Sequence, residues 1–385
     1  MADSCDVAIA GGGIVGLACA LELRRLGAGR VVVLERDGAL GRGSSARANG
    51  GVRAQFTTPV NIAFSLHSIG EYERLAHDDA ALAFHQTGYL FVTGTEGGER
   101  WLRDACELQR RHGVATEWLD ADAVAAHAPV VRTEGLRGAT FHGRDGFLDP
   151  HAAVAALGRA ARAAGAEIRT SCAVEGFDDA PGRAVRVATA RGPLDARAVV
   201  VAAGAHARAV GALAGIDVPV DPIRRNLAFV RAPGHPDDLI PMCVDVDTGV
   251  LVRREAGGGY LVAYSNPGDR PGWDTSLDPA FLDDVAERIG NRFPSLENVP
   301  IDPRHCWAGL YPETADHHAI VGRAPERPEL VVCAGFGGHG LMHAPAAGRA
   351  VAELVVDGRC TSFDLHALRP SRFAEGDLVV ESATL

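Results

Sequence analysis

Residues 7–36 read VAIAGGGIVGLACALELRRLGAGRVVVLER and predict two strands joined by a helix. Residues 7–10 form a short apolar run typical of a buried strand, and the apolar spacing of residues 14–26 indicates a helix packed on a sheet. Residues 31–34 predict the next strand, and Glu35 stands at its end. The stretch therefore predicts the first β–α–β unit of an α/β fold with a Rossmann-type sheet.

Three glycines lie between the first strand and the helix. Gly11, Gly13 and Gly16 form G-x-G-x-x-G, which permits a tight turn, close approach of the backbone to a pyrophosphate, and close packing of helix on strand. The helix N-terminus offers N–H groups to phosphate, and an acid such as Glu35 accepts from ribose hydroxyls. The pattern predicts a dinucleotide that contains ADP, leaving NAD and FAD both open.

Composition narrows the class of protein. The 385 residues are 47% hydrophobic and 23% charged, with a net charge of −11, which disfavours nucleic acid and anionic membrane as partners. No run is long enough to span a membrane, and the first strand begins too early for a signal peptide. The eight scattered cysteines indicate reduced thiols, so we expect a cytoplasmic protein. All 38 basic residues are arginine, which excludes any catalytic lysine.

The chain predicts two interleaved domains. Residues 1–85, 146–220 and 320–385 are assigned to a discontinuous dinucleotide-binding domain. Residues 86–145 and 221–319 are assigned to a second, α+β domain, because strand-like runs separated by turn glycines predict a large mixed or antiparallel sheet there.

Residues 41–56, GRGSSARANGGVRAQF, predict a loop that follows a ligand closely. Ser44 and Ser45 suit phosphate contacts or helix capping, and Gly50 and Gly51 let a flat ring approach the backbone. Arg53 is the cation immediately beyond them; an ion pair at the surface or between domains is the alternative.

A second strand–glycine–helix unit occupies residues 331–356. A helix N-terminus after VVCAGFGGHG places partial positive charge in the crevice, which suits the negative charge of a reduced flavin better than a nicotinamide. His339 adds a donor or a charge there, or only fills the loop.

Residues 306–322, CWAGLYPETADHHAIVG, contain Tyr311, which is expected to line a pocket, with a core position as the alternative. The adjacent His317 and His318 do not predict a metal site, because neighbouring residues of a strand point to opposite faces and no third ligand is evident.

Several segments, in this order, resemble the D-amino-acid-oxidase-like superfamily of FAD oxidoreductases, in the branch of sarcosine oxidase, glycine oxidase and dimethylglycine dehydrogenase. The resemblance covers almost the whole chain, and the segments that carry it are GGGIVG with Glu35, GSSARANGGVR, DGFLDP, VEGF, VVVAAGA, GVLVRREAGGGYLVAY, GLYPETADHHAIVG and GFGGHG. It implies a GR2-like FAD domain, and hydride transfer from a C–H beside an amine nitrogen to flavin N5.

The resemblance also assigns residues to the cofactor. The positions that match the family's FAD-binding segments are Gly11, Gly13, Ile14, Val15, Gly16, Glu35, Arg36, Ser44, Ser45, Asn49, Gly50, Gly51, Val52, Val174, Ala203, Gly204, Gly309, Gly337, Gly338, His339, Gly340 and Leu341.

Departures from the family pattern are informative. Gly309 stands where some members carry the cysteine that attaches FAD, and Cys306 falls three residues early, so we expect non-covalent FAD. Leu261 and Met342 match positions of family lysines, and Tyr311 replaces an arginine of glycine oxidase. With those carboxylate anchors missing, Arg53 is assigned the substrate carboxylate.

These observations predict FAD-dependent oxidation of an amino acid or an N-methyl or secondary amine, with Arg53, Tyr311 and His339 at the catalytic end. Oxygen or another acceptor takes the electrons, and oligomerisation is left open. The alternatives are a flavin dehydrogenase of a 2-hydroxy acid with His339 or His343 as base, a flavin-bearing subunit of a larger dehydrogenase, and an NAD enzyme.

Overall fold

Helices and strands alternate through most of the computed structural model, which describes residues 3–180, 183–232, 238–255 and 258–383. Its strands are β1 (Asp3–Ala10), β2 (Val31–Leu34), β3 (Gly51–Val52), β4 (Phe84–His85), β5 (Tyr89–Thr93), β6 (Glu117–Leu119), β7 (Gly138–His142), β8 (Gly146–Leu148), β9 (Glu167–Arg169), β10 (Val174–Ala180), β11 (Arg183–Thr189), β12 (Leu194–Val201), β13 (Asp221–Val230), β14 (Met242–Asp245), β15 (Val250–Arg254), β16 (Tyr260–Ala263), β17 (Trp307–Glu313), β18 (Ile320–Arg323) and β19 (Leu330–Ala334).

The α-helices of the same ranges are α1 (Ile14–Arg25), α2 (Pro59–Asp78), α3 (Glu96–Arg111), α4 (Ala121–His127), α5 (Pro150–Ala163), α6 (Ala207–Leu213), α7 (Pro279–Arg292), α8 (Gly340–Val356) and α9 (Arg372–Glu375). None of them combines the length and the apolar character that crossing a bilayer requires.

The first sheet has the parallel order β12–β1–β2–β9 at its centre, with β10, β11, β18 and β19 added beyond β12. Ala10 lies beside both Leu34 and Val201, so three strands end at one edge of the sheet. Ligands of open α/β sheets bind at the carboxyl ends of the strands, and the glycine turn, Glu35 and the segment after β12 all lie at this edge.

Helix α1 is apolar on nearly every side because it is enclosed. Its residues from Leu17 to Leu23 are buried, as expected for a helix covered on all faces. The backbone of α1 and that of α8 come very close, since a Cβ on Gly348 would lie 2.6 Å from the carbonyl of Ala18.

The second sheet has the order β17–β13–β16–β15–β14–β5–β7–β6. It is antiparallel except where β14 runs parallel to β5. Successive side chains along each strand point to opposite faces of the sheet, as strand geometry requires. Val252 and Val262 are cross-strand partners on the face that packs against α7, whereas Leu251 and Ala263, the next pair, line a cavity.

The mixed α/β architecture confirms the predicted fold class. Strands of the first sheet come from residues 3–34, 167–201 and 320–334, and those of the second from residues 89–142 and 221–313. The finer domain boundaries stay a prediction. Helix α7 begins at Pro279, and the Asp278 side chain before it accepts from Ala280 N–H.

The C-terminal segment is fixed by buried charges. Arg372 donates to both carboxylate oxygens of Asp316, at 2.8 and 3.0 Å, and both side chains are fully buried. Glu381 is also fully buried and accepts hydrogen bonds at the beginning of α2, from Thr58 Oγ1 at 2.6 Å and Asn61 Nδ2 at 3.0 Å. The segment therefore ties the end of the chain to α2 and to the turn between β17 and β18.

Candidate active site

The turn after β1 requires glycine at two positions. Gly11 has a φ of +119°, and a Cβ there would lie 2.4 Å from the carbonyl oxygen of Ala202. A Cβ on Gly16 would lie 2.0 Å from the carbonyl oxygen of Gly11. Both contacts are with backbone atoms, so a side chain at Gly11 would displace the turn from the segment after β12, and one at Gly16 would displace the turn from α1.

The N-terminus of α1 opens directly onto a cavity. Its N-cap, Gly13, provides no side chain to cap the helix. Ser45 Oγ accepts from Ile14 N–H at 3.1 Å, and Gly11, Gly13 and Val15 line the cavity beside it. Such an end, with free N–H groups and partial positive charge, is suited to phosphate.

Glu35 ends β2 at the same edge of the sheet. Its Oε2 accepts from Gly12 N–H and its Oε1 from Asp37 N–H, each at 2.8 Å. These bonds hold the carboxylate at the cavity wall. Arg36 beside it is exposed and lies 3.1 Å from the His206 ring.

The cavity has a volume of about 710 Å³ and extends from this edge to the inner face of the second sheet. The predicted residues that line it are Gly11, Gly13, Ile14, Val15, Glu35, Arg36, Ser44, Ser45, Asn49, Val174, Ala203, Gly204, Gly309, Tyr311, Gly337, Gly338, Gly340 and Leu341. Segments far apart in the chain thus meet around one elongated space, in the size range of ligand sites.

Other predicted residues do not line the cavity. Gly16 lies behind the turn, and Gly50, Gly51 and Val52 lie next to the lining residue Asn49, in or beside β3, which pairs with β8. Gly50 packs tightly there, since its Cβ would lie 2.1 Å from the carbonyl oxygen of Leu148. Their assignment to FAD stays a prediction.

The glycine loop before α8 approaches the cavity from the opposite side. Gly337 has a φ of +51°, and a Cβ on Gly338 would lie 2.6 Å from the Tyr311 ring. Gly340 begins α8, with no side-chain cap at its N-terminus. A second uncapped helix end therefore faces the same space as α1.

The side chain of His339 points away from this loop into the core. Its ring centroid lies 4.9 Å from that of Phe56 and 5.8 Å from that of His343, and it does not line the cavity. Burial, with a further contribution from the charge of Arg53, holds the pKa of His339 well below its usual value. The ring is therefore neutral, and its predicted catalytic role remains untested.

Arg53 is fully buried and also lies outside the cavity lining. It donates to the carbonyl oxygens of Gln55 and Ala383 and lies 3.9 Å above the Phe56 ring. Burial lowers its pKa. The sequence did not reveal that the C-terminal segment would reach this guanidinium, and its role toward a substrate carboxylate remains a prediction.

Tyr311 lies on the cavity wall as predicted. Burial raises the pKa of its hydroxyl, opposed by the charge of Arg225. Arg225 lines the same part of the cavity, with its guanidinium carbon 5.7 Å from the Tyr311 ring centroid. Arg225 was not among the predicted site residues, although an arginine within a strand-like run was a possible signal.

Cys306 and the histidine pair lie outside the cavity lining. Cys306 Sγ accepts from Phe229 N–H at 3.4 Å and packs against the apolar core behind the second sheet. His317 contacts Glu313 at 3.2 Å, and His318 is buried beside Thr58. In the described parts of the chain, no cluster of three or more His, Cys, Asp or Glu residues is arranged to hold a metal ion.

Two helix N-termini at the cavity, a turn of glycines and an acid at the end of β2 fit the diphosphate and ribose of FAD. Comparison with known proteins agrees. The family model described as FAD dependent oxidoreductase (DAO) matches residues 6–354. FAD-dependent oxidoreductase domain-containing protein 1 of Bos taurus is 30% identical over 427 residues, covering 99% of this chain and 87% of that protein.

Glycine oxidase of Geobacillus kaustophilus is 30% identical over 372 residues, covering 94% of this chain and 95% of that enzyme. Among solved structures, L-proline dehydrogenase from P. horikoshii superposes with a TM-score of 0.92 at 28% identity, covering 98% of this chain and 100% of that one. This chain belongs to the DAO family of FAD-dependent oxidoreductases.

Proposed function

We propose that this oxidoreductase oxidises the C–N bond of an amino acid or of an N-methyl or secondary amine, giving an imine that water hydrolyses. Bound FAD supplies the acceptor for the two electrons and the hydrogen of the C–H bond. The observation that carries the proposal is the composition of the cavity wall on the second sheet. The described residues of strands β13, β15, β16 and β17 that line it include Leu227, Leu251, Ala263, Tyr311 and Arg225, and none of them is His, Asp or Glu.

This wall favours the neutral form of an amine, because burial and the nearby positive charge of Arg225 both penalise the charged form. The amine is the form that gives up hydride, and it needs no base to remove a hydroxyl proton. Tyr311 remains protonated near neutral pH, since burial raises its pKa, and it can donate a hydrogen bond to a substrate.

Oxidation of a 2-hydroxy acid is less well supported. It requires a base near the reacting hydroxyl, and the two histidines that sequence analysis named for it are buried off the cavity. His343 Nε2 lies 3.0 Å from Ser65 Oγ, and burial holds its pKa well below the usual value, as it does for His339.

The names of relatives support the same class of substrate. They include glycine oxidase and, over part of the relatives' length, 4-methylaminobutanoate oxidase of Paenarthrobacter nicotinovorans and sarcosine dehydrogenase of Mus musculus. Both oxidases and dehydrogenases occur among them, so either oxygen or another acceptor is compatible with the proposal.

Anaerobic reduction of the bound FAD tests the proposal directly. The holoprotein is mixed without oxygen with glycine, sarcosine, D- and L-proline, other amino acids and 2-hydroxy acids, and the visible flavin band is followed. We expect at least one amine to bleach the band and the hydroxy acids to leave it unchanged. Bleaching by a hydroxy acid alone would overturn the proposal, and repeating the assay in air with a dye distinguishes the acceptors.

A further inference from the structure

Arg225 is a cation on the cavity wall whose guanidinium is incompletely paired. Its Nη1 donates to Asp269 at 2.7 Å, and both side chains are less than one-fifth exposed. Its Nε is buried and has no hydrogen-bond partner among the described residues. Buried donors are normally satisfied, so this one is available to a ligand that enters the cavity.

The other arginines that line the cavity are engaged elsewhere. Arg47 donates to the carbonyl oxygen of Ala308 at 2.6 Å and so ties its loop to β17. Arg36 and Arg42 are exposed beside the glycine turn and the serines, at the opposite end. Arg225 is therefore the cation placed to meet a small anionic group beside Tyr311.

Asp269 belongs to segment 265–278, which connects β16 to α7 and contributes Ser265, Trp273 and Thr275 to the cavity lining. The segment is attached without Asp269, because Gly272 N–H donates to Pro222 at 2.8 Å and Arg224 pairs with Asp274 at 2.9 Å and with Asp278 at 2.8 Å. Loss of the Asp269 carboxylate would leave these attachments in place.

We propose that Arg225, with the hydroxyl of Tyr311, forms a subsite for a carboxylate of the substrate, and that Asp269 occupies this subsite in the free protein as an internal competitor. No described residue hydrogen-bonds the Tyr311 hydroxyl, and its ring lies beside the guanidinium. A carboxylate ligand takes the place of the Asp269 carboxylate and also accepts a hydrogen bond from the Nε–H of Arg225, whereas a neutral ligand leaves the Arg225–Asp269 ion pair intact. This inference rests on the proposed oxidation of an amine.

Binding of benzoate and acetate, compared with the neutral benzamide and acetamide, tests the subsite without turnover. Perturbation of the FAD absorbance of the holoprotein, or its calorimetric heat, gives the dissociation constants. We expect carboxylates to bind and amides of the same shape to bind at least tenfold more weakly. Arg225→Met should weaken carboxylate binding about 10- to 100-fold, as for a lost charge-assisted pair.

Asp269→Asn is expected to change carboxylate affinity in the opposite direction to Arg225→Met. It should tighten carboxylate binding about 3- to 30-fold, because the competitor loses its charge. Asp274→Asn is the matched control: this aspartate belongs to the same segment but pairs with Arg224 and is exposed, so it should leave binding unchanged. Arg53→Met tests the residue that sequence analysis assigned to the carboxylate.

The proposal is overturned if wild type binds neither carboxylate, if Asp269→Asn weakens binding, or if Arg53→Met abolishes binding while Arg225→Met retains it. Failure here is separable from failure of the proposed function. Amino acids that bleach FAD equally well in wild type and Arg225→Met would refute the subsite alone. Carboxylates that bind through Arg225 in a protein that no amine reduces would refute the amine reaction alone.

Discussion

Replacing Gly16 by alanine tests whether the turn between β1 and α1 holds FAD through the close approach of two backbones. The added Cβ would lie 2.0 Å from the carbonyl oxygen of Gly11, whereas ordinary Cβ contacts are not shorter than 3.0 Å. The turn and the first residues of α1 must therefore separate by about 1 Å to reach normal van der Waals contact. Neither partner is a flexible side chain that can move aside.

Two consequences of that shift determine how much the substitution should weaken FAD binding. Overpacking of a close contact costs about 1–3 kcal/mol, and N–H groups displaced by about 1 Å no longer reach a phosphate oxygen at hydrogen-bonding distance. If that cost falls on the FAD-bound geometry, the dissociation constant for FAD rises about 5- to 150-fold.

Serial dilution of the holoprotein measures this constant, since released flavin is followed by its fluorescence. Gly70→Ala is the control, because Gly70 lies within α2 and a Cβ there meets nothing within 4 Å. That change should leave FAD binding unaltered and stabilise the helix by about 0.5–1 kcal/mol. A Gly16→Ala protein that retains FAD within twofold of wild type would refute the reasoning.

Three further predictions follow from particular residues. Glu381→Gln should lower the free energy of unfolding by about 2–4 kcal/mol, because a buried acceptor of several hydrogen bonds loses its charge. Burial acts to raise the Glu381 pKa, but hydrogen bonds from Thr57, Thr58, Ala383 N–H and Asn61 lower it below 4.5 overall. The stabilisation by the Glu381 carboxylate is therefore complete above pH 4.5 and is lost as the pH falls through the pKa of the folded state. Urea titrations of wild type and Glu381→Gln at decreasing pH would show this loss. FAD should be released completely into the supernatant when the protein is precipitated with acid, and yellow colour in the pellet would contradict non-covalent binding. His339→Gln should leave the pH dependence of anaerobic flavin reduction unchanged between about pH 6 and 9, because the ring is already neutral there; a new or missing inflection would show that His339 titrates.

Local features of the fold were predictable because their signals are contiguous. One stretch of thirty residues contains the turn with Gly11 and Gly16, the helix after it and the acid Glu35. Together these features predict a dinucleotide-binding β–α–β unit. The cap of α7 is equally local, because the Asp278 side chain accepts from the backbone N–H of Ala280, two residues later. Each required only sterics and hydrogen bonding between near neighbours.

The orientations of Arg53 and Arg225 were not predictable in this way. Arg53 follows Gly50 and Gly51, yet its guanidinium is held by carbonyl oxygens that include that of Ala383, far along the chain. Arg225 reaches the cavity only because β13 pairs with β17 and β16 in one register. A shift of one residue would turn its side chain to the opposite face.

Residues 7–36 were enough to predict a Rossmann-type α/β unit and a site for a dinucleotide, because glycine sterics and the end of a helix act within one short segment. The family resemblance over the rest of the chain then predicted that the dinucleotide is FAD. Only the folded chain shows which charged side chains line the cavity: Arg53 and His339 are buried in the core, whereas Arg225 lies on the cavity wall and pairs with Asp269. Those arrangements depend on strand register and on the docking of distant segments, which no local pattern encodes.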